Sequence, residues 1–302
     1  MKTLLHLLLC CLACWSLSFS QTGHSGQITD LQPTVLLISY DGFRYDYFEK
    51  AQTPNFDRII REGVKAQWLI PQFPTKTFPN HYTIVTGLRP ENHGLVANTM
   101  YDPLFDASFG LSNAEAVRDG RWYGGEPLWV TAEQQGQTAA TYFWPGSEAE
   151  IKGTLPTYRK QYRHETPDSQ RVAEVLGWLD RPREQRPTFI TLYFSTTDDV
   201  GHRVGPDSSA IADAIRRVDA VTGYLLEGLQ ERGILDRVDI ILVSDHGMSQ
   251  LSGDRLIFID DYTDSSEVKI VDRSPIAQLW PMPGKEESVY RKIAGVHPHL
   301  KV

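Results

Sequence analysis

Three apolar runs in this sequence lead into acids. "LLISYDG" reaches Asp41, "LYFSTTDDVGH" reaches Asp198, Asp199 and His202, and "IILVSDHGM" reaches Asp245 and His246. One acid at a strand end usually opens a loop or caps a helix. Three runs with the same ending, two of them also carrying histidine, form a pattern. Carboxylate oxygen and imidazole nitrogen without sulfur suit zinc, manganese or iron. Asp198 and His202 are four residues apart, so a helical turn would bring them to one face. Asp245 and His246 are adjacent and converge only at a sharp strand-to-loop turn. The set is large enough for a two-metal site, which clamps the attacking and leaving oxygens of a displacement at phosphorus.

A fourth stretch, "FPTKTFPNHYTIVTG" from Phe73 to Gly87, supplies hydroxyls. Pro79 suits the first turn of a helix, which places Thr77 at or near its N-cap. Capping alone accounts for such a threonine. A helix N-terminus also attracts phosphate, and a hydroxyl touching a metal can lose its proton and attack. Thr75 lies further out, before Lys76, so Thr77 is the preferred nucleophile.

The elements that must position these groups read as an α/β fold. "TVLLISY", "TFITLYFS" and "VDIILVS" are continuous apolar runs, the signature of strands buried on both faces of a parallel sheet. "TPNFDRIIREG" reads as a helix with Thr53 as N-cap, Pro54 in the first turn and Gly63 as the stop. Ile211, Ile215, Val218, Val221, Leu225 and Leu229 fall at helical spacing, with Ser208 or Ser209 as cap and Gly233 at the end. Strand, helix and strand of these lengths predict crossover units. Ligands of such sheets bind beyond the carboxyl ends of the strands, where the acids fall. Residues 100–165 read as an inserted, loop-dominated region over one end of the sheet.

Composition bounds the rest. The chain has 302 residues, 41% hydrophobic and 23% charged, and fits one large α/β domain over residues 33–302. A net charge of -8 argues against a nucleic-acid scaffold as partner. It leaves room for an anionic small molecule, because bound cations reverse the local field. Residues 1–20 read as a cleaved secretory signal rather than a membrane span, with a lipoprotein acylated at Cys14 as the weaker option. Residues 21–32 read as a flexible lead-in. The three cysteines, Cys10, Cys11 and Cys14, all lie in the signal. The mature chain then has no disulfide, which points to secretion into a bacterial periplasm more than into an animal fluid.

"PTKTFPNHYTIVTGLRPENHGLVANTMYDP" resembles the nucleophile region of the nucleotide pyrophosphatase/phosphodiesterases, in the alkaline phosphatase superfamily. "YDGFR", "DDVGH" and "SDHGM" resemble that family's metal-binding stretches, and "GEPLWVTAEQQGQTAATYFWPGSEAEI" its substrate-pocket segment. The likeness runs from about Thr34 to the end of the chain. It implies an alkaline phosphatase-like fold with a central, mostly parallel sheet flanked by helices. It implies two zinc ions, one held by Asp41, Thr77, Asp245 and His246, the other by Asp198, His202 and a further histidine. By the same resemblance Thr77 is the nucleophile, Asn98 bonds a phosphoryl oxygen, Phe78 stacks on the base, and Tyr162 is the opposite aromatic. Asp199 has no family role and is expected to be a solvated neighbour.

The family's third histidine on the second zinc falls in a Gly-Thr-His-type segment that would follow Val302. The resemblance therefore implies a chain truncated at its C-terminus, and neither His297 nor His299 is expected to replace that ligand. The implied reaction is hydrolysis of a nucleoside triphosphate to monophosphate and pyrophosphate, through a phosphothreonine. A phosphomonoesterase or lysophospholipid phosphodiesterase of the same fold, or an inactive fragment, are the competing expectations. A monoester would call for an extra cation such as Arg44. A sulfatase is disfavoured, since the mature chain has no cysteine to become its nucleophile.

Overall fold

The computed structural model describes residues 26–273 and 276–302. The expected signal segment, and the lead-in up to residue 25, lie outside the described residues. The chain opens with strand β1 (Thr34–Tyr40), followed by helices α1 (Pro54–Glu62), α2 (Thr77–Thr86) and the short α3 (Pro90–His93). A small hairpin follows, β2 (Thr99–Asp102) and β3 (Ala107–Gly110), then α4 (Ala114–Arg118) and α5 (Leu128–Gln134). Next come β4 (Ala139–Tyr142), β5 (Tyr158–Lys160), α6 (Asp168–Leu179) and β6 (Phe189–Phe194). The long helix α8 (Ser209–Glu231) separates α7 (Thr196–Val204) from β7 (Val238–Val243). A second hairpin, β8 (Val268–Asp272) with β9 (Gln278–Pro281), and helix α9 (Glu286–Ile293) complete the described elements.

The central sheet has the order β5-β4-β6-β1-β7, and every adjacent pair is parallel. Its two faces are covered differently. Leu36, Ile38 and Tyr40 of β1 join a core with α6 and α8, through Val172, Val175, Leu176, Ile215, Val218 and Leu225. Leu37 turns to the opposite face, with Tyr82 and Val85 of α2 and Trp129 of α5. Burial on both sides accounts for the unbroken apolar runs of β1 and β6. The run of β7 does not fit that expectation: β7 is the sheet's edge strand and leaves Ile241 exposed. Each such aliphatic or aromatic side chain contributes roughly 1.5–3 kcal/mol on burial.

Several local expectations meet different physics. Thr53 occupies the N-cap of α1 but makes no capping bond to its backbone. Asp219 of α8 takes that role, accepting from the amides of Asn55 and Phe56 at 3.1 and 2.8 Å. Residues 26–32 are anchored rather than loose. Ile28 packs into the core, its amide donates to the Arg232 carbonyl at 2.9 Å, and Arg237 donates back to its carbonyl. The region 100–165 is more than a cover over the sheet, because it supplies β4 and β5. β4 has only four residues, all buried, and its sequence AATY has too few branched residues to stand out as a strand.

At the end of α3, His93 is buried and joined at both nitrogens. Its Nδ1 accepts from the Leu95 amide at 3.2 Å, and Nε2 meets the Thr83 hydroxyl at 3.0 Å. Burial lowers its pKa from 6.5 to about 4. The unfolded chain therefore takes up this proton first. The stability His93 contributes is complete above pH 6.5 and drains away as pH falls toward 4. A His93→Gln variant is expected to show a flatter dependence of Tm on pH across this window than the wild type. Parallel curves would contradict this assignment.

Candidate active site

The three acids converge because of strand order. β1 lies between β6 and β7, and neighbouring strands run ~4.8 Å apart. Ser39 pairs with Tyr193 on one side and with Val243 on the other, so two residues further on Asp41 comes beside the chain that carries Asp245. There β1 ends in a left-handed turn at Gly42, φ 65°, whose amide donates to Asp245 Oδ1 at 3.2 Å. A Cβ on Gly42 would meet Asp198 Oδ1 at 3.0 Å and its Cα at 3.1 Å. The glycine of "YDG" thus lets α7 close over β1. Thr197 of α7 fastens the contact by donating to the Asp41 carbonyl at 2.6 Å.

Asp41 and Asp245 are buried, and Asp198 is nearly so, with its side chain 16% exposed. Asp41 Oδ1, Asp198 Oδ1 and Asp245 Oδ2 are all sealed from solvent without a hydrogen-bond partner. Orphaned carboxylate oxygens in such a setting cost several kcal/mol unless a cation meets them, ~3–5 kcal/mol for an uncompensated charge. Burial, together with the charges of Asp245 and Asp198, raises the Asp41 pKa well above the usual carboxylate range. Asp198 is raised by burial as well. Asp245 goes the other way: burial opposes its charge, yet His81 and His246 hold it down to about 2.

His246 completes the group. Its Nε2 lies 3.1 Å from Asp245 Oδ2, 3.5 Å from Asp41 Oδ1 and 3.4 Å from Thr77 Oγ1. Its Nδ1 donates to the Gly247 carbonyl at 2.8 Å, which leaves Nε2 with a free lone pair. A metal-ligating histidine is normally oriented by such a bond. Asp41, Asp198 and His246 place one ligand atom each within 4.8 Å of one another. The donor set of oxygen and imidazole nitrogen fits a zinc-like divalent cation. His202 stands at the rim, its side chain 70% exposed and its Nε2 3.3 Å from Asp198 Oδ1, one helical turn away along α7.

Thr77 is the first residue of α2 and Lys76 its N-cap, so the hydroxyl sits at the positive end of a helix. Asn98 Oδ1 accepts from the Phe78 amide at 2.9 Å in the same first turn. With its carbonyl so engaged, its Nδ2 is the group left to donate. Lys76, nearly buried, is paired with Asp272 of the second hairpin. The Phe78 ring packs on Phe109 with centroids 5.7 Å apart. Tyr162 is 44% exposed, with its ring 5.2 Å from Phe143 and 6.2 Å from Tyr193.

Sequence reasoning overlooked three groups here. Tyr193 donates to Asp41 Oδ2 at 2.6 Å. Burial and the neighbouring Asp41 charge raise its phenol well above 10, so it stays a donor. His81 and Ser39 form a buried pair behind Thr77, with His81 Nε2 2.8 Å from Ser39 Oγ. A serine inside the apolar run "TVLLISY" and a histidine four residues after Thr77 were the signals available. Asp199 is the solvated neighbour expected, its side chain 38% exposed. It accepts from Ser195 Oγ at 2.9 Å and lies 3.7 Å from His164 Nε2. Arg44 is held by Asp46 and Asp207, at 2.6 and 2.8 Å, and by the Met248 carbonyl. His297 and His299 lie on the chain after α9, their rings 5.6 Å apart.

Comparison with known proteins gives the family. The family profile described as type I phosphodiesterase / nucleotide pyrophosphatase matches residues 35–302. The chain belongs to that family, within the alkaline phosphatase superfamily. It is 39% identical over 272 residues to human ectonucleotide pyrophosphatase/phosphodiesterase family member 5, covering 90% of this chain and 56% of the relative. It is 46% identical over 233 residues to a venom phosphodiesterase of Naja atra, covering 76% and 28%. The chain thus spans between about a quarter and just over half of these curated relatives. The solved structure of murine ectonucleotide pyrophosphatase/phosphodiesterase 5, an inactive threonine-to-alanine variant in complex with AMP, superposes with a TM-score of 0.85. That match has 38% identity and covers 88% of this chain and 71% of the other.

Without a cation, the clustered carboxylates oppose folding at neutral pH. A raised carboxylate pKa means stability lost as pH rises from 3.8 through the folded value of Asp41. Asp41→Asn is expected to raise the Tm of the metal-free protein at pH 7 by about 2–4 °C, the gain from ~1 kcal/mol in a large domain. The same change is expected to abolish stabilisation by added zinc. A lower metal-free Tm with zinc stabilisation intact would contradict the description.

Proposed function

We propose that this chain carries the catalytic machinery of a metal-dependent hydrolase of phosphodiester and pyrophosphate bonds in nucleotides, with Thr77 as nucleophile. The observation that supports it most is the set of three orphaned carboxylate oxygens gathered beside one hydroxyl at a helix N-terminus. Asp41, Asp245 and His246, with Thr77 itself, would hold one zinc ion. Asp198 and His202 would contribute to a second. When bound, the cations supply charge neutralisation at phosphorus and lower the pKa of the threonine hydroxyl.

The chain's own groups then divide the work. Thr77 Oγ attacks phosphorus, a new O–P bond forms, and the bond to the leaving oxygen breaks. Water cleaves the resulting phosphothreonine and restores the hydroxyl. Asn98, fixed through its carbonyl by the Phe78 amide, offers its Nδ2 to an equatorial oxygen. The amides opening α2 favour the same anion. Phe78 and Tyr162 offer aromatic faces to a base, which any base can use. The relative solved with AMP, inactive after a threonine-to-alanine change, supports both the substrate class and the role of threonine.

Arg44 is spoken for by two aspartates, so it is not available for the extra charge of a monoester. This favours a diester or anhydride substrate. Relatives named as ectonucleotide and venom enzymes support export of this chain to a secreted location. Among the described residues no helix is long and apolar enough to cross a membrane.

Thr77→Ala is expected to reduce turnover of a nitrophenyl nucleotide diester to background while the protein keeps its zinc, counted by elemental analysis. Turnover at the wild-type rate in that variant would refute the nucleophile. On the wild type, nitrophenyl phosphate and a choline lysolipid are expected to be the poorer substrates.

A further inference from the structure

The metal-like cluster contains a histidine whose chemistry is not that of a ligand. His81 is fully buried and lies within 4.8 Å of ligand atoms of Asp41 and Asp245. Both of its nitrogens are already engaged. Nδ1 is 2.9 Å from the Thr77 carbonyl, which can only accept, so Nδ1 carries a proton. Nε2 is 2.8 Å from Ser39 Oγ. No lone pair is left at Nδ1 for a cation, in contrast to Nε2 of His246.

What His81 touches defines a different role. Through Ser39 it is tied to β1, two residues before Asp41. Through the Thr77 carbonyl it is tied to the first turn of α2. The same Nδ1 lies 3.4 Å from Asp245 Oδ2, beyond the end of β7. Its ring is held edge-on by Trp144 at 5.1 Å and by Tyr193 at 5.3 Å, and Tyr193 is the donor to Asp41. Trp144 also donates its Nε1 to the His81 carbonyl at 3.1 Å. One imidazole therefore meets the strand before one acid, the residue that bears the hydroxyl, and a second acid.

We propose that His81 is a positioning residue that locks the first turn of α2 to β1, beside the Asp245 carboxylate, and so sets the Thr77 hydroxyl against the cation site. The inference rests on the metal-dependent reading of that site and deepens it. Groups that orient ligands from behind typically contribute 10–100-fold to metal affinity or activity. Ser39 is the second half of the device, because it fixes the rotation of the ring.

The test is zinc affinity of the full chain, by competition with a chromogenic chelator, in four variants. His81→Phe keeps the ring between Trp144 and Tyr193 but removes both nitrogens. His81→Asn can place an amide N–H near the position of Nδ1, whereas His81→Gln can reach only toward Ser39. Ser39→Ala leaves the histidine and removes its anchor. The Phe and Gln variants are expected to bind zinc about 10–100-fold more weakly, and Asn to recover to within about threefold of wild type. Ser39→Ala is expected to fall between. On a nitrophenyl nucleotide diester, kcat is expected to follow the same order with KM little changed.

A Phe variant that binds zinc as tightly as wild type overturns the inference, as do Asn, Gln and Phe variants equally impaired. If the Phe variant does not fold, by circular dichroism, the contrast between Asn and Gln and the Ser39→Ala value decide alone. A wild-type chain that binds no zinc overturns the reading of the site together with this inference.

Discussion

Three carboxylates that cannot escape each other set the terms for this molecule. Asp41, Asp198 and Asp245 stand at or just past the ends of adjacent parallel strands, and each has an oxygen shielded from water and unbonded. Like charges in a low-dielectric pocket repel strongly, and burial adds to the penalty. The fold nonetheless provides extensive support for exactly one arrangement of them, through the left-handed turn at Gly42, the Thr197 strap and the Tyr193 hydroxyl. An apolar replacement would stabilise the bare chain more easily. Such a cluster makes physical sense as the negative half of a cation site, where the repulsion becomes binding energy.

Thr77 is coupled to that cluster through the same scaffold. α2 presents Thr77 at its first position, where the backbone amides and the hydroxyl would face an anion together. Asn98 and Lys76 tie this turn to the first hairpin and to the second, by a bond to the Phe78 amide and a pair with Asp272. His81 ties it to the sheet. The site is therefore built on strands and a helix terminus, with each group held from behind. Catalysis by electrostatic preorganisation asks for this kind of rigidity.

Much of this was legible in the sequence, and for particular reasons. β1 and β6 are buried on both faces, so their composition marks them; β7 carries a similar apolar run although it is the sheet's edge strand with Ile241 exposed, and the acids follow at the ends of all three. Asp198 and His202 share a helical face because four residues nearly complete a turn. The cap of α1 was not legible, because Asp219 reaches it from 164 residues away. β4 was missed because four small or polar-edged residues give no periodic signal. Ser39 and Tyr193 escaped because each lies in an apolar run where a polar atom looks like packing, and His81 because it sits among the polar residues that follow Thr77. Their meaning comes only from partners in other elements.

The account stands on a cation being gathered by these carboxylates around one hydroxyl. Anomalous diffraction from crystals grown with zinc, at wavelengths on both sides of the zinc edge, reads this directly. A peak is expected within ~2.0–2.2 Å of oxygens of Asp41 and Asp245 and of His246 Nε2, with Thr77 Oγ facing it. Zinc-loaded crystals in which this position shows no anomalous signal, and the metal sits elsewhere on the surface, would contradict it.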